Sequence, residues 1–224
     1  SAVVDNSIIT VLYKGIKIIY TGTPVFGIVR TGKITIELVN GNSWIDAGAI
    51  LKINFESVKI TYMGKSVIYN GTVYITNVSR GLPYRPGSDS TIHKVRVNAT
   101  VTFDDNSILT WWAARKNVYI KNNKTFTSYG DTLVNGETCT IGGINRYNTN
   151  FLVKAPQPVV SNLTCGFYKP VSGIRVFASD NRNVTITFGI DENGSPVSSG
   201  TCAYGYKVEW PRWNGETGIA IISY

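Results

Sequence analysis

Two groups of tryptophan and arginine side chains are the residues best suited to bind a ligand or a partner. They are Trp111, Trp112 and Arg115, and further along Trp210, Arg212 and Trp213. Flat apolar rings beside cations stack on sugar rings and anchor protein interfaces. These positions are candidate contacts for a surface glycan or a protein partner. Core packing with one covered tryptophan is the more ordinary interpretation, because consecutive strand residues point to opposite faces and at most one of Trp111 and Trp112 can belong to a core.

The ionisable residues show no arrangement that we would assign to catalysis. His93 is the single histidine, so the common zinc sites and nucleophile–base pairs lack their usual ligand or proton carrier. Acidic residues adjoin at 104–105 and 191–192, both within turn sequences, and neither has the spacing of an EF-hand calcium loop. We expect no catalytic residue, no metal and no cofactor. A hydrolase with paired carboxylates is an alternative, with the candidates Asp104, Asp131 and Asp191.

Positive charge is spread along the chain and is not gathered on one element. Lys and Arg total 22 against 14 Asp and Glu, a net charge of +8. Nucleic-acid-binding surfaces usually concentrate their cations, so we expect no nucleic-acid partner. No apolar run approaches the ~18 residues of a membrane-spanning helix, and we expect no transmembrane segment. The sequence begins at Ser1 without a methionine, which indicates that a signal peptide or anchor segment has been removed or left out.

Three cysteines, Cys139, Cys165 and Cys202, allow one disulfide and one free thiol. We favour the pair Cys165–Cys202, because both flank strand-like segments in the last third of the chain and would close a loop of moderate length. Such a bridge implies an oxidising compartment. Three free buried thiols are the alternative.

Alternation of apolar and polar residues dominates the chain. Apolar residues occupy every second position at 95–103, 34–38 and 184–188. This pattern is typical of a strand with one face in a core and the other in water. Further strand candidates lie at 8–13, 50–55, 58–62, 72–78, 108–114, 117–121, 151–154, 205–210 and 218–224. No long window has the apolar period of a helix.

Turn sequences separate these strands. Asn-Gly pairs, which supply the positive φ of tight hairpins, occur at 40–41, 70–71, 135–136, 193–194 and 214–215, and 104–106 adds an acidic turn. We predict an all-β fold, an antiparallel β-sandwich, compact or elongated, with many short hairpin-connected strands. Residues 1–224 are expected to form a single β-rich domain, with a sub-domain break near 155–160. The Pro/Gly segment at 82–88 is interpreted as a long connection.

A series of short motifs runs in a distinctive order between residues 30 and 202. The motifs are residues 30–36 (RTGKITI) before Asn40-Gly41, 69–77 (YNGTVYITN), 100–104 (TVTFD) with 112–115 (WAAR), 143–146 (GINR) with Phe151, Cys165 before 170–173 (PVSG), and 185–189 (TITFG) with Cys202. Their order resembles that of a large group of mostly uncharacterised exported proteins of Bacteroidota, often predicted lipoproteins. The resemblance implies export, a β-rich fold and a Cys165–Cys202 pair, and it supplies no catalytic residue. The chain departs from the group at Ala203, where Asp is usual, in the additional Cys139, and in lacking the anchoring cysteine of a lipoprotein.

These features favour a non-enzymatic exported protein with a structural, adhesive or assembly role. The expected location is the outer membrane surface or the extracellular space, with the periplasm as an alternative. The apolar terminal stretches at 3–13 and 218–224 could extend a neighbour's sheet in a homo- or hetero-assembly. A carbohydrate-binding module that uses the exposed Trp and Arg groups is the alternative function. A virion surface protein of a phage that infects such bacteria is a further one.

Overall fold

Sixteen β-strands make up the regular structure of the described chain. The structure is a computed structural model that describes residues 7–83, 89–180, 182–198 and 200–224, and the backbone of residues 2–4. The first eight strands are β1 (Ala2–Val4), β2 (Ser7–Leu12), β3 (Gly15–Thr21), β4 (Val29–Asn40), β5 (Ala49–Tyr62), β6 (Lys65–Asn77), β7 (Ser90–Phe103) and β8 (Ile108–Ile120). The others are β9 (Thr125–Gly130), β10 (Thr132–Val134), β11 (Glu137–Ile144), β12 (Asn150–Asn162), β13 (Pro170–Ser179), β14 (Arg182–Ile190), β15 (Gly205–Pro211) and β16 (Thr217–Ser223). Among these residues, no helix is long and apolar enough to cross a membrane.

All the described strands join one antiparallel sheet. Its order follows the chain from β1 to β8, continues with β11 and then follows the chain from β12 to β16. The predicted all-β, antiparallel fold of hairpin-connected strands is confirmed. The hydrogen-bonded ladder passes from strand to strand without a break, so the strands form one continuous sheet where the predicted sandwich has two.

One position in the sheet is filled by two strands placed end to end. β8 pairs with β11 through residues 110–113 and with β9 through residues 115–120. On the other side, β12 pairs with β11 through residues 150–154 and with β9 through residues 159–162. The short β10 pairs with β11 alone, which places the β10–β11 hairpin at the junction.

One cluster of buried apolar side chains lies on a single face of the sheet. Its members are Val97, Ala99 and Ala113, with Tyr69, Val73, Val95, Trp111 and Ile141 packed against them. These side chains come from four neighbouring strands, β6, β7, β8 and β11, and none of them comes from a facing layer. The accessible surface is 12908 Å², more than a quarter above the roughly 10,100 Å² expected of a compact chain of this mass. Both observations describe an open, extended sheet.

The strand registers sort the side chains onto two faces. On one face a row of apolar residues crosses the sheet through Ile36, Ile53, Val73, Val97, Ala113, Ile141 and Val153. We call this side the apolar face. The opposite side, which carries Lys52, Tyr74 and Arg96, is the polar face. The alternation of apolar and polar residues in the sequence therefore corresponds to the two faces of the sheet.

A β-bulge in β5 explains why the strand break expected between 55 and 58 and the turn expected at 70–71 are absent. The sequence predicts separate strands at 50–55 and 58–62 and a turn at 70–71, whereas β5 is continuous and residues 70–71 lie inside β6. The register of β5 shifts beside Ser57, whose backbone N–H donates to Asn70 Oδ1 at 2.7 Å. A side chain at Gly71 would overlap Ala99 on β7. This Asn-Gly pair thus serves a bulge and a close approach of two strands.

The other predicted turns within the described residues join or follow strands as expected. Residues 104–106, 193–194 and 214–215 lie between successive strands, and 40–41 ends β4. At 135–136 a two-residue loop closes the β10–β11 hairpin, with φ of 51° at Asn135 and 80° at Gly136. These positive angles are those that such a hairpin requires.

Two proline-containing segments are singled out by the sequence: 155–160 as a sub-domain break and 82–88 as a long connection. Residues 155–160 lie inside β12, where its register with β13 shifts. Of the connection predicted at 82–88, residues 84–88 lie outside the described residues, as do residues 5–6 of the apolar N-terminal stretch.

The predicted disulfide is present. Cys165 and Cys202 are bonded across a sequence separation of 37. The bond joins the loop after β12 to the segment before β15. Cys139 is free and buried, and its burial raises the pKa of the thiol. The alternative of three free thiols is therefore wrong.

Candidate functional site

Trp112 presents its indole on the polar face of the sheet. Its direct neighbours are Asn98 on β7 and Gly142 on β11. A Cβ added at Gly142 would lie 2.5 Å from Cζ2 of Trp112. The indole therefore occupies the space of a side chain at residue 142, and only glycine fits beneath it.

A shallow trough of about 410 Å³ opens beside Trp112. Its lining is Asn70, Gly71, Asn98, Ala99, Thr100, Thr110, Trp111, Trp112, Gly143 and Ile144. The registers place Asn98 and Trp112 in one row of the polar face and Asn70, Thr100 and Thr110 in the next. Amide and hydroxyl groups beside an aromatic ring supply hydrogen bonds and a stacking surface, the combination that suits a neutral sugar.

The structure does not gather the first predicted group into one patch. Trp111 lies on the apolar face, where it packs against the core beside Ala99. Arg115 shares that face but lies further along β8, opposite Val95. Trp112, on the other face, is separated from both. As the alternation of side chains along a strand predicts, Trp111 packs against the core and Trp112 does not.

The second group is divided between packing and exposure. Trp210 covers Gly218, its direct partner across β15 and β16. Arg212 forms an ion pair with Glu216 at 3.7 Å within the connecting turn. Trp213, at the tip of that turn, is 98% exposed. Of these three residues, Trp213 is the one available to a partner.

β16 forms one outer edge of the sheet. Its outer side has no partner strand among the described residues, and its seven residues (TGIAIIS) carry no charge. The register with β15 is regular, without a bulge. Exposed edges in natural proteins are usually blunted by lysine, proline, bulges or extreme shortness, because bare edges recruit other strands. β16 has none of these devices.

The hydrogen bonds of this hairpin identify the backbone groups that face outward. The N–H of Arg212 donates to Glu216 O at 2.8 Å, and the N–H of Tyr224 donates to Tyr204 O at 3.0 Å. Hydrogen-bonded pairs alternate along an antiparallel ladder, so even-numbered residues of β16 bond to β15. The N–H and C=O groups that point away from the sheet belong to Thr217, Ile219, Ile221 and Ser223.

The opposite edge is also open. β1 pairs with residues 7–9 of β2, which leaves the outer side of residues 10–12 without a described partner strand. Val11 is 76% exposed there. The sheet therefore offers a free strand edge at each end.

The three carboxylates considered for hydrolysis lie in separate connections, and each has its own ion-pair or hydrogen-bond partners. These are Lys65 for Asp104, Arg96 and Lys94 for Asp131, and the backbone N–H groups of Asn193 and Ser195 for Asp191. Within the described ranges, no three His, Cys, Asp or Glu side chains are grouped so as to hold a metal ion.

His93 lies in a buried polar row on the apolar face. Asn77 and Asn117 are its direct neighbours on β6 and β8. Its ring packs between Trp44 and Tyr119, with centroids 5.1 and 5.4 Å away. Burial lowers the pKa of the imidazole, which keeps it neutral at physiological pH. The single histidine is therefore a packed side chain within β7.

The polar lining of the trough does not follow from the sequence. Asn70 and Asn98 occupy polar positions of alternating segments, and that signal alone places them on an outer face. Their closeness to Trp112 depends on the β6–β7 and β7–β8 registers, which the sequence pattern does not specify.

Comparison of the chain with protein-family models, curated proteins and solved structures finds no match. Function is therefore inferred from the geometry of the trough and of the sheet edges.

Proposed function

We propose that the protein is a non-enzymatic, exported cell-surface protein that assembles through the edges of its sheet. The uncharged outer edge of β16 carries this proposal. Its strand residues Ile219 and Ile221 are 56% and 40% exposed, and their backbone groups face outward. A strand of a neighbouring molecule would satisfy these groups and cover the apolar side chains.

The neighbour is a second copy of the chain, which binds through its β1–β2 edge. Both edges belong to one sheet, so head-to-tail addition leaves the same free edges at the ends of the assembly. Such a contact extends to a fibre or closes into a ring, according to the twist between copies. A structural role at the cell surface follows from either form.

The disulfide supports the exported location. Bonds of this kind persist in extracellular and periplasmic compartments and are rare in the reducing cytosol. The outer membrane surface or the extracellular space is the location that we propose.

A proline substitution at residue 219 tests the assembly. The Ile219 N–H faces outward, so Ile219→Pro removes a docking donor without removing a bond to β15. Ile219→Thr keeps the donor and the strand preference and is the matched control. Light scattering over a range of concentrations should show association of the wild type and of Ile219→Thr, and a monomer for Ile219→Pro.

Two results would overturn this assembly: a wild type that stays monomeric at every concentration, or an Ile219→Pro variant that associates like the wild type. Circular dichroism checks that the variant keeps its β-structure. If Ile219→Pro does not fold, Ile219→Lys replaces it, because a lysine on an edge strand opposes pairing while preserving the backbone.

The trough beside Trp112 favours a second function, the binding of a surface glycan. Its support is the indole placed over Gly142 with Asn98 directly opposite on the other side. Wild-type protein on a glycan array should retain neutral sugars, and Trp112→Ala and Asn98→Ala should lose them while keeping the fold. Trp213→Ala is the control, because that side chain lies in the turn between β15 and β16 and does not line the trough. No retention by the wild type, or loss in the Trp213 variant alone, would contradict the assignment.

A further inference from the structure

Arg175 reaches across the sheet at the junction between β9 and β11. Its Nη1 donates to the carbonyls of Gln157 (2.7 Å) and Ile174 (2.9 Å). Its Nη2 donates to the carbonyl of Ser128 at 2.9 Å. Gln157 lies on β12 and Ser128 on β9, so the guanidinium extends from β13 over β12 to β9.

Arg115 approaches the same place from the other side. It projects from β8 on the apolar face, directly opposite Gly130 at the end of β9. Gly130 has no side chain, and Thr138 and the backbone of Cys139 occupy the space where its Cβ would lie. Arg175 is on the same face, because it lies two residues along β13 from Phe177, the direct partner of Val153 on the apolar face. The two guanidinium groups therefore converge over β9.

Electrostatic coupling between the two side chains agrees with this geometry. Burial lowers the pKa of Arg175 to about 10, and the charge of Arg115 contributes to that shift. Burial also lowers the pKa of Arg115. Both cations are half-buried, so each has lost part of its hydration.

No anion of the described chain balances this pair. The ion pairs among the described residues all involve other cations. Asp131 directly follows Gly130, but its carboxylate pairs with Arg96 and Lys94 on the polar face. Half-buried charges without a counterion are costly, and a bound anion would relieve both at once.

Asn117 adds a further polar group at this position. It lies two residues from Arg115 on the same face, opposite Ser128. Its Oδ1 is buried without a hydrogen-bond partner among the described groups. Rotation of the amide about its last torsion would present N–H donors instead.

We propose that Arg115 and Arg175 form a binding site for an oxyanion, the carboxylate, phosphate or sulfate group of a ligand. Guanidinium groups bind such groups with paired N–H donors in a fixed geometry. Arg175 is held in place by its three carbonyl contacts, and Arg115 supplies the freely available donors. The site is distinct from the Trp112 trough, which lies on the other face, and it does not depend on assembly through the edges.

Titration calorimetry of the full chain at low salt tests the site with three separate probes: inorganic phosphate, sulfate and a uronic acid. The wild type should bind at least one, and the strongest identifies the anion as free phosphate, free sulfate or the carboxylate of an acidic sugar. Arg115→Gln should weaken that binding at least tenfold. Arg30→Gln removes one partly buried positive charge far along the sheet and should change binding less than twofold.

Three outcomes would overturn the site. They are no binding of any probe by the wild type, equal weakening in both variants, and unchanged binding in Arg115→Gln. Thermal unfolding supplies a second readout, because a saturating anion should raise the melting temperature of the wild type and of Arg30→Gln but not of Arg115→Gln.

Discussion

The indole of Trp210 on β15 lies across Gly218, its direct partner on the edge strand β16. A Cβ at residue 218 would overlap the ring, so the pair is complementary in the way of an aromatic that covers a strand glycine. The same arrangement joins Trp112 and Gly142 in the middle of the sheet. In a sheet without a second layer, such pairs supply apolar contact that an opposing layer would otherwise provide.

Replacement of Trp210 should loosen the edge hairpin. We expect Trp210→Ala to lower the free energy of unfolding by about 2 kcal/mol, less than for a fully buried tryptophan, because the ring is half-buried. Urea denaturation measures the change. Trp213→Ala is the control and should change stability by less than about 0.5 kcal/mol, since that side chain is almost fully exposed. Equal losses in the two variants would contradict a packing role for Trp210.

Loss of the Cys165–Cys202 bond should destabilise the C-terminal part of the sheet. The loop spans a sequence separation of 37, for which chain entropy predicts a contribution of about 4 kcal/mol. A variant with both cysteines replaced by serine should show this loss in urea denaturation. Reductant should lower the stability of the wild type to a similar level and leave the double variant unchanged. A fall in the double variant on reduction would show that the effect is not due to this bond.

The sequence predicts the strands well where alternation is regular and poorly where the ladder is irregular. Residues 95–103 lie inside β7 and 184–188 inside β14. Residues 70–71 have the composition of a hairpin turn, yet their role depends on the bulge at Ser57 in the neighbouring strand. That relationship is set by pairing between strands, and local propensity carries no information about it.

The layer arrangement could not be read from the pattern either. Alternation shows that a strand has one apolar side. The pattern is the same whether that side meets a second sheet or contacts only side chains of its own sheet. For the candidate site, the sequence identified Trp112 and Trp213, but Gly142 and Asn98 join Trp112 only through registers. Arg175 gave no signal because its contacts are with the backbone carbonyls of Gln157 and Ser128, which are distant from it in sequence.

Acid should weaken the fold through His93. Burial holds the pKa of the folded imidazole below its ordinary value of 6.5, so the unfolded chain takes up the proton first as the pH falls. Stability is therefore full above about pH 6.5 and declines below it, with a limiting slope of about 1.4 kcal/mol per pH unit. Urea midpoints between pH 7.5 and 5 measure the decline. His93→Gln lacks the titrating group and should show a much smaller one, whereas parallel declines would assign the effect to other groups.

Alkali should weaken the fold through Tyr224. Its hydroxyl donates to Pro170 O at 2.6 Å, and burial raises the pKa of the phenol from 10.0 to about 12. The folded state therefore holds this proton more tightly, so the contribution is complete below about pH 10 and is lost as the pH rises toward 12. Tyr224→Phe should cost about 1 kcal/mol at neutral pH through the missing hydrogen bond. The stability difference between wild type and variant, measured in urea from pH 8 to 11.5, should shrink at the alkaline end. A difference that stays constant would show that the phenol ionises with an ordinary pKa in the folded chain or is not engaged with Pro170.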